Sequence, residues 1–179
     1  MGLGVQALAQ ETALPTEYTV EMWNKDPDDK KRKMVFSEDI IQVAPGAVIT
    51  WLATDKGHNV QFIDGPDDVE LAKKSRVSRD VTLTLNDPGV YVYVCTPHAS
   101  TGMLALVVVG EATADAIEQA ADAKVRGKSK KKLKTLLAGL WHSDVSDSIV
   151  AFIEVPWCYL SVLSALSPKL PLITIAQYS

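Results

Sequence analysis

Proline and glycine recur too often between Thr16 and Gly110 for a helical period to survive there, and the apolar residues fall into short runs bounded by turn residues. The runs occupy residues 18–23, 40–43, 48–52, 60–63, 81–85, 90–95 and 104–109. Between them stand Pro45-Gly46, Asp64-Gly65-Pro66 and Asp87-Pro88-Gly89, which are turn signals. Seven or so short strands spaced in this way predict a mainly β domain, a Greek-key sandwich or barrel. Residues 69–75 could form a short helix within a loop.

The pattern changes after Gly110. Residues 113–124 are rich in alanine, with acidic residues towards the start and Thr113 placed as an N-cap. Residues 129–140 set Leu133, Leu136, Leu137 and Leu140 at helical spacing, with lysines on the other face. Two short amphipathic helices are therefore expected to pack on the sandwich. The lysines read as a solvated face rather than a binding patch, and the run from Lys128 to Lys134 is expected to lie away from the functional end.

The ends fit neither pattern. Residues 1–16 read as a signal-peptide remnant or an unstructured N-terminus, because apolar residues lead to the small-x-small pattern Ala7-Leu8-Ala9. Residues 141–179 form an apolar tail of unassigned structure. Its stretch 149–166 barely reaches the length of a membrane span and contains Glu154 and Pro156, which argue against one. A membrane anchor and a poorly ordered or read-through tail both remain open there. The expected organisation is thus a sandwich over 17–110, a helical appendage over 111–140, and two unassigned ends.

Composition narrows the classes. Apolar residues make up 47% of the 179 and charged residues 22%, a globular balance that excludes a disordered or fibrous chain. The net charge of −4 gives no general attraction to nucleic acid. Two cysteines cannot build a disulfide scaffold.

The residues that carry chemistry lie in Tyr93-Val-Cys95-Thr-Pro-His98-Ala-Ser-Thr-Gly-Met103. Cys95, His98 and Met103 fall at a strand end, in a turn and at the next strand's start, so all three can point at one centre. A thiolate, two imidazoles and a long axial thioether make a blue-copper site. The missing imidazole is expected from His58, in Asp55-Lys-Gly-His58-Asn-Val, which follows the run at 48–52. Taken singly, Cys95 could be a small core hydrophobe, Met103 a core residue and His98 a loop residue. Together, their spacing between two β runs favours a site. Zinc is the competing metal, but its structural sites favour paired Cys and His over a thioether. His142 and Cys158, in the tail, read as incidental.

Residues 17–140 resemble the pseudoazurin family of bacterial periplasmic cupredoxins. The resemblance is carried by Thr54-Asp-Lys-Gly-His-Asn-Val60, Pro88-Gly-Val-Tyr91, Cys95-Thr-Pro-His98 with Gly102-Met103, and Met34-Val-Phe36. Plastocyanins share the Cys-x2-His-x4-Met spacing, and the helical pair with the Asp-Lys-Gly-His-Asn-Val phrase tips the choice. The resemblance implies that His58, Cys95, His98 and Met103 hold one copper ion, with Asn59, Thr96 and Met34 around it. Asn59 and Thr96 would tie the two ligand loops together. It further implies a non-enzymatic one-electron carrier, monomeric and periplasmic. Lys56, Lys73, Lys74, Arg76 and Arg79 would dock on an acidic redox partner such as copper nitrite reductase, or on a cytochrome c.

The sequence departs from the family at Ala99, where an aromatic is common, in the loop after Ile63, which looks short, and in the residues beyond Leu140. Near alternatives are a plastocyanin-like or amicyanin-like carrier, though the amicyanin ligand loop is shorter. A copper storage or delivery protein would want more than four methionines. A multicopper oxidase would need more than three histidines.

Overall fold

The computed structural model describes residues 13–66 and 74–150. The chain divides at Asp144 into two units, the first of which holds every strand. Of the second, the described residues are the helical 145–150. Among the described residues eight strands form two four-stranded sheets: β1 (Glu17–Lys25), β2 (Lys33–Phe36), β3 (Ile40–Val43), β4 (Ala47–Leu52), β5 (Gln61–Asp64), β6 (Val81–Leu85), β7 (Gly89–Val94) and β8 (Leu104–Val109). One sheet runs β2-β1-β4-β6 and the other β3-β8-β7-β5. β1 lies parallel to β4 and β3 parallel to β8, while the remaining neighbours are antiparallel. The expected β architecture followed by two helices is what forms. The strand missing from the sequence reading is β2. Its four residues follow a run of lysine and arginine, and it enters through Met34 at the positive φ of 51°.

Period-2 alternation explains how the core divides. On β7 and β8 the residues Tyr91, Tyr93, Ala105, Val107 and Val109 face the other sheet, and they pack there with Val20, Phe36, Ile49 and Trp51. Their neighbours Val90, Val92, Leu104, Leu106 and Val108 point the opposite way, into a second core. Because both faces are covered, both strands read as unbroken apolar runs with no polar alternation. Aromatic edges lock the first core: Trp51 meets Phe62 at 5.6 Å and Tyr93 at 5.5 Å between ring centroids, both edge-on. Burial pushes the Tyr91 hydroxyl up to about 12, and that hydroxyl donates to the Asp87 carbonyl at 2.9 Å.

The second core is closed by α1 (Ala114–Ala121) and α2 (Lys128–Val150). Thr113 caps α1, its side chain accepting from the Ala116 N–H. Ile117 and Ala120 from α1, with Leu133, Leu137 and Leu140 from α2, cover the outer face of the β7–β8 sheet. α2 runs ten residues past the expected end at Leu140, since no glycine or proline stands between Trp141 and Val150 to stop it. Lys132 ties it to the sheet through an ion pair with Asp39 at 2.6 Å, and Arg32 joins the same carboxylate at 3.2 Å. Residues 1–12 with Ala7-Leu8-Ala9, most of the 69–75 loop with Lys73, the side chain of His142 and the tail beyond Val150 with Cys158 lie outside the described residues.

Leu106 is fully buried between sheet and helices, so Leu106→Ala should cost about 2–5 kcal/mol in denaturant unfolding. Val48→Thr, on an exposed face of β4, should stay within about 0.5 kcal/mol at an unchanged m-value.

Candidate metal centre

Cys95 follows β7 directly and is the last residue before a 3₁₀ turn, Thr96–Thr101, whose start is set by Pro97. The turn closes on itself. The His98 N–H donates to the Cys95 carbonyl at 3.0 Å, the Met103 N–H to the His98 carbonyl at 3.1 Å, and the Cys95 N–H to the Met103 carbonyl at 3.0 Å. Gly102 ends the turn at φ 107°, a conformation L side chains rarely adopt. These bonds bring the strand end, the turn and the residue before the next strand to one end of the sandwich. Cys95 and Met103 are fully buried in the inter-sheet core, and His98 is half-buried.

His58 comes from the β4–β5 connection, which turns at Gly57 with φ 97°. The segment before β6 braces it: Ser78 Oγ accepts the Gly57 N–H at 2.9 Å, and the Ser78 N–H donates to the His58 carbonyl at 2.8 Å. His58 is itself fully buried. Its Nε2 lies 3.0 Å from Asn24 Oδ1, an acceptor that places the ring proton on Nε2. Nδ1 is then free to face Cys95 Sγ, 3.6 Å away. His98 Nδ1 lies 3.4 Å from the same sulfur, and the two imidazole rings stand 4.8 Å apart. One donor atom from each of His58, Cys95 and His98 falls within 4.8 Å of the others, the spread a single ion can bridge.

The electrostatics suit a cation. Burial holds both imidazoles below their ordinary pKa, so they are neutral donors at pH 7. Burial pushes the Cys95 thiol up, opposed by backbone N–H groups of Asn59 and His98 and by the Lys74 charge. Without a cation the sulfur therefore keeps its proton; with one, it becomes a thiolate.

Asn59 and Thr96 join the His58 and Cys95 loops. The Thr96 N–H donates to Asn59 Oδ1 at 2.9 Å, and Asn59 Nδ2 donates to Thr96 Oγ1 at 3.1 Å and to the Ser75 carbonyl at 3.3 Å. Met34 packs partly buried against the inter-sheet core to which Cys95 and Met103 belong. Lys56 stands exposed two residues before His58, and Lys74, Arg76 and Arg79 are exposed on the segment that braces His58 and Asn59. The Lys128–Lys134 run corrects the sequence reading. Lys128 packs beside Gly102 and Ser129 bonds to Ala99, so the start of α2 borders the ligand turn, while Lys132 turns away to Asp39. Sequence reasoning passed over Asn24, Ser78 and Ser129, since each acts on a loop distant in the chain and sits in no motif.

Residues 24–110 match the model of the family described as copper binding proteins, plastocyanin/azurin family. The chain is 37% identical over 137 residues to the pseudoazurin of Methylorubrum extorquens, covering 74% of this chain and 89% of that one. The chain belongs to the pseudoazurin family. It is also 37% identical over 123 residues to the pseudoazurin of Paracoccus pantotrophus, covering 68% and 81% of the two chains. The solved pseudoazurin of Hyphomicrobium denitrificans superposes with a TM-score of 0.61 at 33% identity, covering 69% of this chain and 97% of that one. This pseudoazurin-family protein is a type 1 copper electron carrier, not an enzyme. The donor set in its structure, one thiol, two neutral imidazoles and a buried thioether at one end of the sandwich, fits copper.

Asn59→Ala removes both bonds between the ligand loops and the one to Ser75, and strands the Thr96 N–H. It should cost about 1–3 kcal/mol of stability and speed copper loss to a chelator about 10–100-fold.

Proposed function

We propose that this protein is a periplasmic one-electron shuttle in which His58, Cys95, His98 and Met103 hold the copper, and that it donates to a denitrification reductase such as a copper nitrite reductase. The observation that carries this reading is the asymmetry of the donor set: Cys95, His58 and Met103 are fully buried, and His98 alone of the four is half-buried. Copper bound there supplies the Cu(I)/Cu(II) couple. The protein's residues do the rest. Asn24 and the Ser78 brace fix the His58 ring, Asn59 and Thr96 fix the two loops against each other, and the sandwich excludes water from the sulfur. A donor cage that stays fixed has little to reorganise when charge changes at its centre. The His98 edge is then the port through which an electron leaves.

We assign the exposed cations Lys56, Lys74, Arg76 and Arg79 to a rim around this port, a reading supported by the Lys74 charge acting on Cys95 and by Lys128 beside Gly102. Such a rim suits an acidic partner and speeds encounter more than it tightens binding. Lys73, next in the chain to Lys74, is assigned to the same rim; a cytochrome c with an acidic face is a second partner of the same chemistry. All four donors come from one chain, so the site asks for no second copy, and a monomer is inferred. Among the described residues no helix is long and apolar enough to cross a membrane. The family resemblance and the Ala7-Leu8-Ala9 pattern support export to the periplasm, which cell fractionation would test.

An intense absorption band towards the red end of the visible spectrum is expected when the protein is loaded with Cu(II). Cys95→Ser should abolish it, because a hydroxyl is a poor donor to copper. A band that survives Cys95→Ser but not Cys158→Ser would refute the ligand assignment.

Titrating the metal-free protein at pH 7 with Zn(II), a redox-inert probe, should release about one proton, from Cys95, since both imidazoles are already neutral. Release of none would mean that the thiol is not a ligand.

Lys74→Glu or Lys56→Glu should slow electron transfer to an acidic partner, mainly through association. The gap from the unmodified protein should close as salt shortens the screening length from about 10 Å at 0.1 M to about 3 Å at 1 M. A rate that rises with salt would point to a basic or apolar partner.

A further inference from the structure

The first turn of α2 is built against the ligand turn. Ser129 is fully buried, and its hydroxyl donates to the Ala99 carbonyl at 2.5 Å. The same carbonyl accepts the Gly102 N–H at 3.3 Å, so it is held once from within the turn and once from the helix. The approach leaves no space at Gly127 and only ordinary contact distance at Gly102. A Cβ at Gly127 would stand 2.3 Å from the Ser100 carbonyl oxygen, and a Cβ at Gly102 would lie 3.5 Å from Lys128 Cβ. Gly127 also has φ 58°, so the chain can pass there only because it carries no side chain.

His58 and His98 are held in different ways. The His58 ring has its own side-chain acceptor, Asn24. The bonds that hold His98 beyond its contact with Cys95 Sγ are backbone bonds of the turn: N–H to Cys95, and carbonyl to Met103 N–H and Thr101 Oγ1. Where the His98 ring sits therefore depends on where the turn backbone sits, and Ser129 grips that backbone at the very next residue. The donor side of the grip, Ser129, is fully buried, which limits competition from water. α2 is anchored independently further along, by Lys132 on Asp39 and by Leu133 and Leu137 in the second core.

We propose that Ser129 is a positioning residue for the metal centre: by holding the Ala99 carbonyl it fixes the turn that carries His98, and with it the placement of the His98 imidazole beside Cys95. This rests on the reading of His98 as a ligand, but the grip itself can be measured without metal.

The test compares Ser129→Ala with Lys132→Gln, which loosens α2 from β3 without touching the turn. Gly127→Ala serves as a second route, since its methyl would push the helix off Ser100. In metal-free protein, amide hydrogen exchange at Gly102 and Met103 should be about five- to tenfold faster in Ser129→Ala, the equivalent of one lost hydrogen bond. Gly127→Ala should move the same two amides in the same direction. Lys132→Gln should leave them unchanged, even where it lowers the melting temperature as much. In copper-loaded protein, Ser129→Ala should raise the reduction potential relative to Lys132→Gln, because Cu(I) tolerates a loosened ligand better than Cu(II). Unchanged exchange at Gly102 and Met103 in Ser129→Ala would overturn the proposal. So would faster exchange with the potential of the unmodified protein, which would make Ser129 a support for the turn and not for the imidazole. If the exchange responds as expected but no variant, the unmodified protein included, gains the red copper band, the copper reading fails and the grip stands.

Discussion

The antiparallel ladder between β7 and β8 is the constraint on which the rest of the molecule depends. It runs in unbroken register from Gly89 opposite Val109 to Val94 opposite Leu104, and it is apolar on both faces. A strand pair of that kind cannot stand at a surface. One face requires the facing sheet with its aromatic residues, and the other requires α1 and α2. The connection between the two strands is the ligand turn. The bond from the Cys95 N–H to the Met103 carbonyl extends the ladder by one step, so the thiol and the thioether inherit the rigidity of the sheet pair.

Burial gives the centre its chemistry as well as its place. Removing Cys95 from water makes the bare thiolate unfavourable, and the same desolvation keeps both imidazoles neutral. A cation entering this cluster offsets the first effect and meets no opposing charge from the second. The surrounding bonds then limit how far the donors can move: Asn24 for His58, Asn59 with Thr96 for the two loops, and the turn's own backbone for His98. The donors are thus buried and braced on three sides, while His98 is partly exposed. The net charge of −4 belongs to the whole chain and does not by itself set the sign of a local docking surface.

The helices have a second task beyond covering the sheet. The connection from α1 to α2 passes so close to the ligand turn that Gly127 has no space for a side chain, and Ser129 enters the protein with its hydroxyl on Ala99. The helix start thus belongs to the same packed unit as the turn. Ala99 lends its carbonyl to this contact and packs its small side chain against the second core.

The sequence by itself determined the local features. The recurring turn signals cut strands β3, β6 and β8 to within a residue, Thr113 marked the start of α1, and leucine spacing marked the buried stripe of α2. Cys95, His98 and Met103 were legible as a set because strand, tight turn and strand bring near neighbours in the chain together through short-range bonds. What is set over long separations was not legible. Asn24 reaches His58 across 34 positions, Ser129 reaches Ala99 across 30, and Lys132 reaches Asp39 across 93. Any polar residue at a strand end or helix start looks alike until the sheets are stacked in register, for it is the stacking that removes water and brings a buried donor such as the Ser129 hydroxyl to its acceptor. That is also why Lys128, one of a run of surface lysines in the sequence, comes to border the metal centre: only the packing of α2 on the β7–β8 sheet decides which end of the helix meets the turn.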